Sequence, residues 1–337
     1  MSHPFMRPVT LADLHAVHAL AVQAGGGMTN LPASEKTLRE KIERSVASFN
    51  KDARKPGGEF YMLVLDVGGK AMGTAAVFAS IGDTYGFVNY KINREFYYSE
   101  STKRRVERDV LVPTHDFTDA AEVGSLFISP QARGGGLGRL LARSRYLFIA
   151  QKPAIIADPV CAELRGWRAP DGAQPFWNAV GGRFFDMGFE EADAYNAAYG
   201  NQFIEDLMPR YPIYVDMLPE DARQCLGRPH DGAAAALKML KEEGFSFHNY
   251  VDVFDGGPLV DARQAQIRTI RDSRVFTLAA LKDDVDGPEA LLATGAVASF
   301  RATKSKARID GDRLTLPRAA AVALNAEPGA EVRWAAW

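Results

Sequence analysis

Two regions of the 337-residue chain hold groups whose types and spacing can do chemistry. The first is Gln131-Ala132-Arg133-Gly134-Gly135-Gly136-Leu137-Gly138, four glycines and a cation in one short run. Glycine accepts backbone angles and close approaches that side chains forbid. Leu137, Leu140, Leu141, Leu147 and Phe148 then recur at helical spacing, so the run opens a helix with an apolar face that packs on a sheet. Unpaired amides, the positive end of the helix dipole and Arg133 converge there, which makes an anion site. The second region is dispersed. His230 sits in Gly227-Arg228-Pro229-His230-Asp231-Gly232, ahead of an alanine-rich helix, and imidazole exchanges a proton near neutral pH more readily than other side chains. Glu163, in Ala162–Trp167, can hold a cation or accept a proton through water, and Arg165 can hold a carboxylate. Asp252 and Asp255, on either side of Phe254, are further carboxylate candidates, and Asp255 completes the substrate-binding set with Glu163 and Arg165.

The kind of anion is narrowed by what the turn lacks. A dinucleotide fold requires G-x-G-x-x-G after the first strand, with an acidic residue about 20 positions on. Gly134, Gly136 and Arg139 miss that spacing. A P-loop ends in Gly-Lys-Ser/Thr, whereas Gly138-Arg139-Leu140 brings no hydroxyl for a metal. Composition narrows the class further. A net charge of −2 argues against a nucleic-acid binder, and no apolar run approaches the ~20 residues that span a bilayer. The start of the chain carries no apolar secretory stretch, so the cytoplasm is the expected compartment. The two cysteines, Cys161 and Cys225, are too few for a disulfide framework or a Cys-rich metal site. His15 and His18 lack a third ligand in view, so no metal is expected.

The surrounding elements must position these groups. Thr10 and Asp13 form a capping box for a first helix with Leu14, Val17 and Ala21 inward, ended by Gly25. Ser34 caps a second helix through Leu38, Ile42 and Val46, and the loop between, Gly25 to Pro32, reads as a substrate loop. Strands are expected at 60–65 and 72–81 around the Gly68-Gly69 hairpin, and at 85–98. The charged stretch 99–119 reads as a solvated excursion, the alternative being that its cations meet ligand phosphates. Val123, Leu126 and Ile128 make a short buried strand before the glycine turn. Residues 154–163 read as the next strand, interrupted by Pro159. Phe176–Val180 leads through Gly181-Gly182 to Phe184-Phe185, and 232–243 leads through Gly244 to a strand at 249–254. These two helix–glycine–strand units suggest a partial internal duplication, with a second half from about residue 196. Beyond 276, short strands and turns suggest a small β-rich subdomain, 276–337, following an acyltransferase region, 1–275.

The spacing Arg133-x-x-Gly136-x-Gly138 resembles the pyrophosphate-binding loop of the GCN5-related N-acyltransferases. Further motifs appear in one order: Arg7-Pro8-Val9, Gly25–Pro32, Ser125–Pro130 (SLFISP), Ala162–Trp167 (AELRGW), Pro175–Trp177, Gly181–Phe185, Asp206–Tyr214, Gly227–His230 and Phe254–Pro258. Together they resemble the arginine N-succinyltransferases of bacterial arginine catabolism, to about Arg274, with a looser and divergent tail. The resemblance implies an α/β (α+β) acyl-CoA N-acyltransferase fold, a mixed, mostly antiparallel sheet flanked by helices. It implies transfer of a succinyl group from succinyl-CoA to the α-amine of L-arginine, with succinyl-CoA a co-substrate and no permanently bound cofactor. His230 would be the proton donor, and Leu126 and Ile128 would offer main-chain amides to the thioester carbonyl. Arg133, Gly134, Gly136 and Gly138 would hold the cofactor's diphosphate. Direct attack by the bound amine needs no acyl-enzyme, so Cys161 reads as a buried small hydrophobe. Ornithine or another amine as acceptor, and a non-catalytic role beside a related chain, are the alternatives. Some relatives pair related chains, so a homo-oligomer or hetero-oligomer is expected.

Overall fold

The computed structural model describes residues 3–25, 28, 30–83, 86–200 and 202–337. Gly26, Gly27 and Thr29 of the expected substrate loop, and Tyr85 of the expected third strand, lie outside them. The chain begins β1 (Phe5–Pro8), α1 (Leu14–Ala24), α2 (Glu35–Asn50), β2 (Phe60–Val67) and β3 (Lys70–Phe78). It continues β4 (Asn89–Ser99), β5 (Arg104–Thr114), β6 (Ala121–Ile128), α3 (Leu137–Gln151) and β7 (Val160–Glu163). A run of short helices precedes β8 (Ile213–Tyr214), and the helix Ala234–Glu242 precedes β9 (Ser246–Val251) and β10 (Pro258–Ala262). The tail holds β11 (Arg274–Lys282), β12 (Glu289–Thr294), β13 (Arg301–Lys306), β14 (Arg308–Asp310), β15 (Arg313–Pro317) and β16 (Glu331–Ala336).

All these strands join one sheet, in the order β14-β15-β11-β16-β12-β13-β1-β2-β3-β6-β7-β10-β9-β4-β5-β8. Most neighbours are antiparallel; β6–β7 and β11–β15 are parallel. The short β1 is the joint, pairing with β2 through Phe5↔Asp66 and with β13 through Phe5↔Thr303. The tail strands therefore extend the main sheet while keeping an apolar cluster of their own, around Leu278, Leu292, Leu314 and Val332.

Local signals account for the first elements. The Thr10 amide and hydroxyl both donate to Asp13 Oδ2 (2.8 and 2.9 Å), which closes the cap expected from their spacing. Arg7 donates to Asp13 and Asp66, tying β1 and β2 to the start of α1. The charged stretch after residue 99 is β5, which pairs along its whole length with β4 and shows Arg104, Arg105 and Arg108 to solvent.

Three elements differ from the sequence expectation. Only Val160–Glu163 of 154–163 is strand, because Pro153–Ile155 makes a 3-10 turn first. Phe184 and Phe185 end a helix, Gly181–Phe185. The cause is aromatic packing. Trp177 stacks between Phe185 and Phe254, with ring centroids 5.4 and 5.5 Å away, and a Cβ on Gly181 would lie 2.5 Å from the indole. The two units read as duplicates thus differ in form, helix followed by helix in one and helix followed by strand in the other.

The third difference is α3, expected to bury one face. Leu140 through Ala150 are all buried, because the sheet covers one side and Ala234–Glu242 and Arg268–Arg271 cover the other. Arg143 is therefore inside. Its Nε lies 2.9 Å from Glu243, and Nε and Nη2 donate to Thr269 Oγ1. Removing one member of a buried pair strands the other charge in a medium that solvates it poorly. Arg143→Ala is expected to cost roughly 3 kcal/mol in urea unfolding. The exposed Arg271→Ala should leave the urea midpoint close to that of the parent.

Candidate active site

The central feature is a gap between parallel neighbours. β6 and β7 share only two register pairs, Ala121↔Val160 and Glu122↔Cys161. Beyond these, β6 stays on β3 to Ile128 while β7 turns onto β10 through Leu259↔Glu163. Within the separated part, β6 carries a bulge. Gly124 faces Ala76 and Phe127 faces Thr74, so Ser125 and Leu126 together oppose Ala75. Ser125 has a φ of +50°, its carbonyl accepts from Thr74 Oγ1 and its hydroxyl donates to Asn30 O, both at 2.8 Å. A bulge takes backbone groups out of the ladder and re-aims them. Leu126 lies in the bulge and Ile128 at the end of the strand, both half-buried.

The glycine turn follows directly. Gly134, Gly135 and Gly136 all have positive φ (116°, 59° and 83°), which explains the demand for glycine. A Cβ on Gly134, Gly135 or Gly138 would meet nothing within 4 Å, so the turn is open to solvent there, with Arg133 exposed beside it. Gly136 is closed on one side, because its Cβ would lie 2.7 Å from the Trp337 indole.

His230 stands on a different support. Its amide donates to Arg165 O (2.7 Å), the Trp167 amide donates to Arg228 O (3.1 Å), and Gly166 bridges Pro229. The segment after β7 therefore holds the His230 loop as a strand would. Nδ1 accepts from the Gly232 amide at 3.0 Å, so the neutral ring carries its proton on Nε2. Burial, then the Arg165 cation, lowers the pKa below the ordinary 6.5.

Carboxylates collect where β7, β10, β9 and β4 end together. Asn89 Nδ2 donates to Glu163 Oε1 at 2.8 Å. Asp252 Oδ1 accepts from the amides of Phe254 and Asp255 (2.7 and 3.0 Å). Asp255 accepts from the amides of Gly166 and Gly257 (2.7 and 2.9 Å) and shares a hydrogen bond with the Asp252 carboxyl. These acids sit deep but keep a half-buried face, as the floor of a crevice does. Burial, then the Asp255 charge, pushes Asp252 up to about 8; burial, then Asp252, raises Glu163. Arg165 is held below the ordinary range by burial and by Arg168.

Sequence reading thus found members of both regions, and the fold brings Glu163, Arg165, Asp252, Asp255 and His230 together. It missed Asn89 and Glu122. Glu122 is buried at the base of the gap, accepts from Asn30 Nδ2 at 2.8 Å and is pushed up to about 7, mainly by burial. Its signal was position alone, on the same face as the two glutamates' neighbour Cys161, whose thiol burial raises far above the ordinary value. A cavity of about 740 Å³, lined by Gln151, Lys152, Asn325 and Arg333 at the far end of α3, holds none of these groups.

A splayed parallel pair, a bulge facing the gap and a glycine turn opening the next helix define the class, an acyl-CoA N-acyltransferase fold. The particular family is shown by comparison. The model described as arginine N-succinyltransferase beta subunit matches residues 4–269, and that of its C-terminal domain matches 274–336. The tail, expected to be divergent, is thus matched by a domain of the same family. The arginine N-succinyltransferase subunits beta and alpha of Pseudomonas aeruginosa are each 35% identical, over 97% of this chain and 96% and 98% of theirs. The arginine N-succinyltransferase of Salmonella schwarzengrund is 35% identical over 97% of this chain and 96% of its own. The solved arginine/ornithine succinyltransferase subunit AI from Pseudomonas aeruginosa superposes with a TM-score of 0.90, at 34% identity, covering 100% of this chain and 99% of that one. The chain belongs to the arginine N-succinyltransferase family and is an acyltransferase. Among the described residues, no helix is long and apolar enough to cross a membrane.

The glycines separate strain from ligand contact. Gly136→Ala must hold a left-handed residue, worth about 1–2 kcal/mol, and displace Trp337, so lower stability and weaker CoA binding are expected together. Gly138→Ala adds a methyl into open space in the first helical turn, so thermal stability is expected to hold or rise by up to about 1 kcal/mol while CoA affinity falls.

Proposed function

We propose that this chain transfers the succinyl group of succinyl-CoA to the α-amine of L-arginine, giving N2-succinylarginine and CoA. Family membership along the whole chain carries the reading, and the layout of the gap supports it. In this reading, Arg133, Gly134, Gly136 and Gly138 hold the diphosphate, and main-chain amides at Leu126 and Ile128 receive the thioester carbonyl. Charge gathering on that oxygen is stabilised most by fixed donors that need no reorganisation. The acceptor reaches the carbonyl from the crevice of Glu163 and Arg165, Glu163 facing its cation and Arg165 a carboxylate. Asp255 carries charge there too, but its bonds to Gly166 and Gly257 chiefly fix the backbone that presents Arg165.

Attack by the neutral amine makes the C–N bond and breaks the C–S bond. His230 takes up the proton that the amine sheds and, as the imidazolium so formed, donates from Nε2 to the departing sulfur. Relatives named as alpha and beta subunits, and the subunit title of the solved structure, support work in an assembly with a second copy or a related chain. We place the reaction in the cytoplasm and the boundary between the acyltransferase region and the tail near residue 275.

Thiol release from succinyl-CoA, measured with arginine, ornithine and other amines, tests the reading. Arginine should be the preferred acceptor; purified chain that releases no thiol with any amine would overturn it. His230→Ala is expected to lower kcat by ~10²–10⁴ with CoA affinity retained. The ring must start neutral to take the amine's proton, and its lowered pKa keeps it neutral as pH falls to 6.5, so the limb of kcat that His230 sets should lie below that value, apart from the limb set by protonation of the amine itself. An acidic limb centred above 6.5 would exclude His230 as its source.

A further inference from the structure

The acid cluster is short of hydrogen-bond donors. Asn89 is fully buried, and its Oδ1 has no partner although its Nδ2 is bound to Glu163. Asn89 lies one step along the register from Tyr90↔Val251, which places it opposite Asp252. An orphaned buried carbonyl costs free energy unless something fills its place. Around it stand Glu163 and Asp252, both acceptors when ionised. What fits is a planar cation that offers several N–H groups and accepts none, which describes a guanidinium and not an ammonium.

We propose that Asn89 Oδ1, Asp252 and Glu163 together form the receptor for the acceptor's guanidinium, with Asn89 and Asp252 as its specificity-determining members. This rests on arginine being the acceptor. It also predicts a linkage. Asp255 and Glu122 act on Asp252 and Glu163, while Arg165 and His230 act on one another and on Asp255, with Arg168, Asp193, Asp231 and Asp261 further out. Acids outnumber cations nearest Asp252, and burial with the Asp255 charge pushes its carboxyl up to about 8. A guanidinium placed there favours the ionised form, so the proton leaves as arginine binds and affinity rises with pH until about 8.

The test is calorimetry of the full chain at pH 7 with L-arginine and with L-citrulline, its neutral isostere, in phosphate and in Tris. Arginine should release a proton, seen as a buffer-dependent enthalpy, and citrulline should not. Asp252→Asn keeps an oxygen for the Phe254 and Asp255 amides, so the turn survives. It should abolish proton release and weaken arginine roughly 30- to 1000-fold, leaving citrulline and succinyl-CoA binding unchanged. Glu163→Gln and Asn89→Ala should lower the arginine-to-citrulline ratio in the same direction. An unchanged ratio in all three variants, equal loss for both ligands, or no arginine binding by the parent overturns the inference. Arginine bound with proton release but no thiol release sinks the transfer reading alone, whereas turnover of arginine with an unchanged ratio sinks the receptor alone.

Discussion

The molecule depends on how briefly β6 and β7 stay together. Two register pairs at Ala121–Glu122 fasten them, and then each strand follows its other neighbour. A parallel pair that parts in the middle of a sheet exposes backbone amides that nothing else in the sheet can satisfy. Such an opening is stable only if the surroundings are rigid. Here the bulge at Ser125 is pinned by Thr74 on one side and Asn30 on the other. On the far bank, Asp255 ties Gly166 to Gly257, where an added Cβ on either glycine would strike backbone or carboxylate.

The same opening explains the unusual interior of α3. A helix that begins at the gap and runs beneath two layers cannot keep a polar face in water. Arg143 is instead paired with Glu243 and Thr269, and Arg139, nearer the turn, with Glu242. These pairs fasten α3 to the helix that follows His230 and to its neighbour. The glycine turn and the histidine loop are therefore ends of elements locked to one another, although nearly a hundred residues separate them in sequence. The tail strands join the frame through β1, and Trp337 comes to rest on Gly136 between Arg139 and Lys304. A family-wide tail domain thus closes one side of the turn.

Several features were legible in the residues because their causes are local. Positive φ demands glycine, so Gly134 to Gly136 announced a turn. The Thr10–Asp13 cap and the strand before Pro130 needed only neighbours a few positions away. His230 stood out by chemical type. Asn89 gave no signal, since an asparagine at a strand start looks like turn chemistry until Asp252 and Glu163 are set across from it. Phe184-Phe185 resembled a strand by composition, and only the stack on Trp177 made it helix. Tertiary packing overrides propensity in such short segments.

The residues alone decided the family, the fold class, the glycine turn and the histidine, because each rests on identity and short-range spacing. Three-dimensional structure decided where the carboxylates go. Glu163 ends β7, Asn89 opens β4 and Asp252 directly follows β9, and the order of these strands in the sheet bears no relation to their order in the chain. Their proton affinities follow from burial and mutual repulsion at that meeting point, and neither exists until the strands are laid side by side.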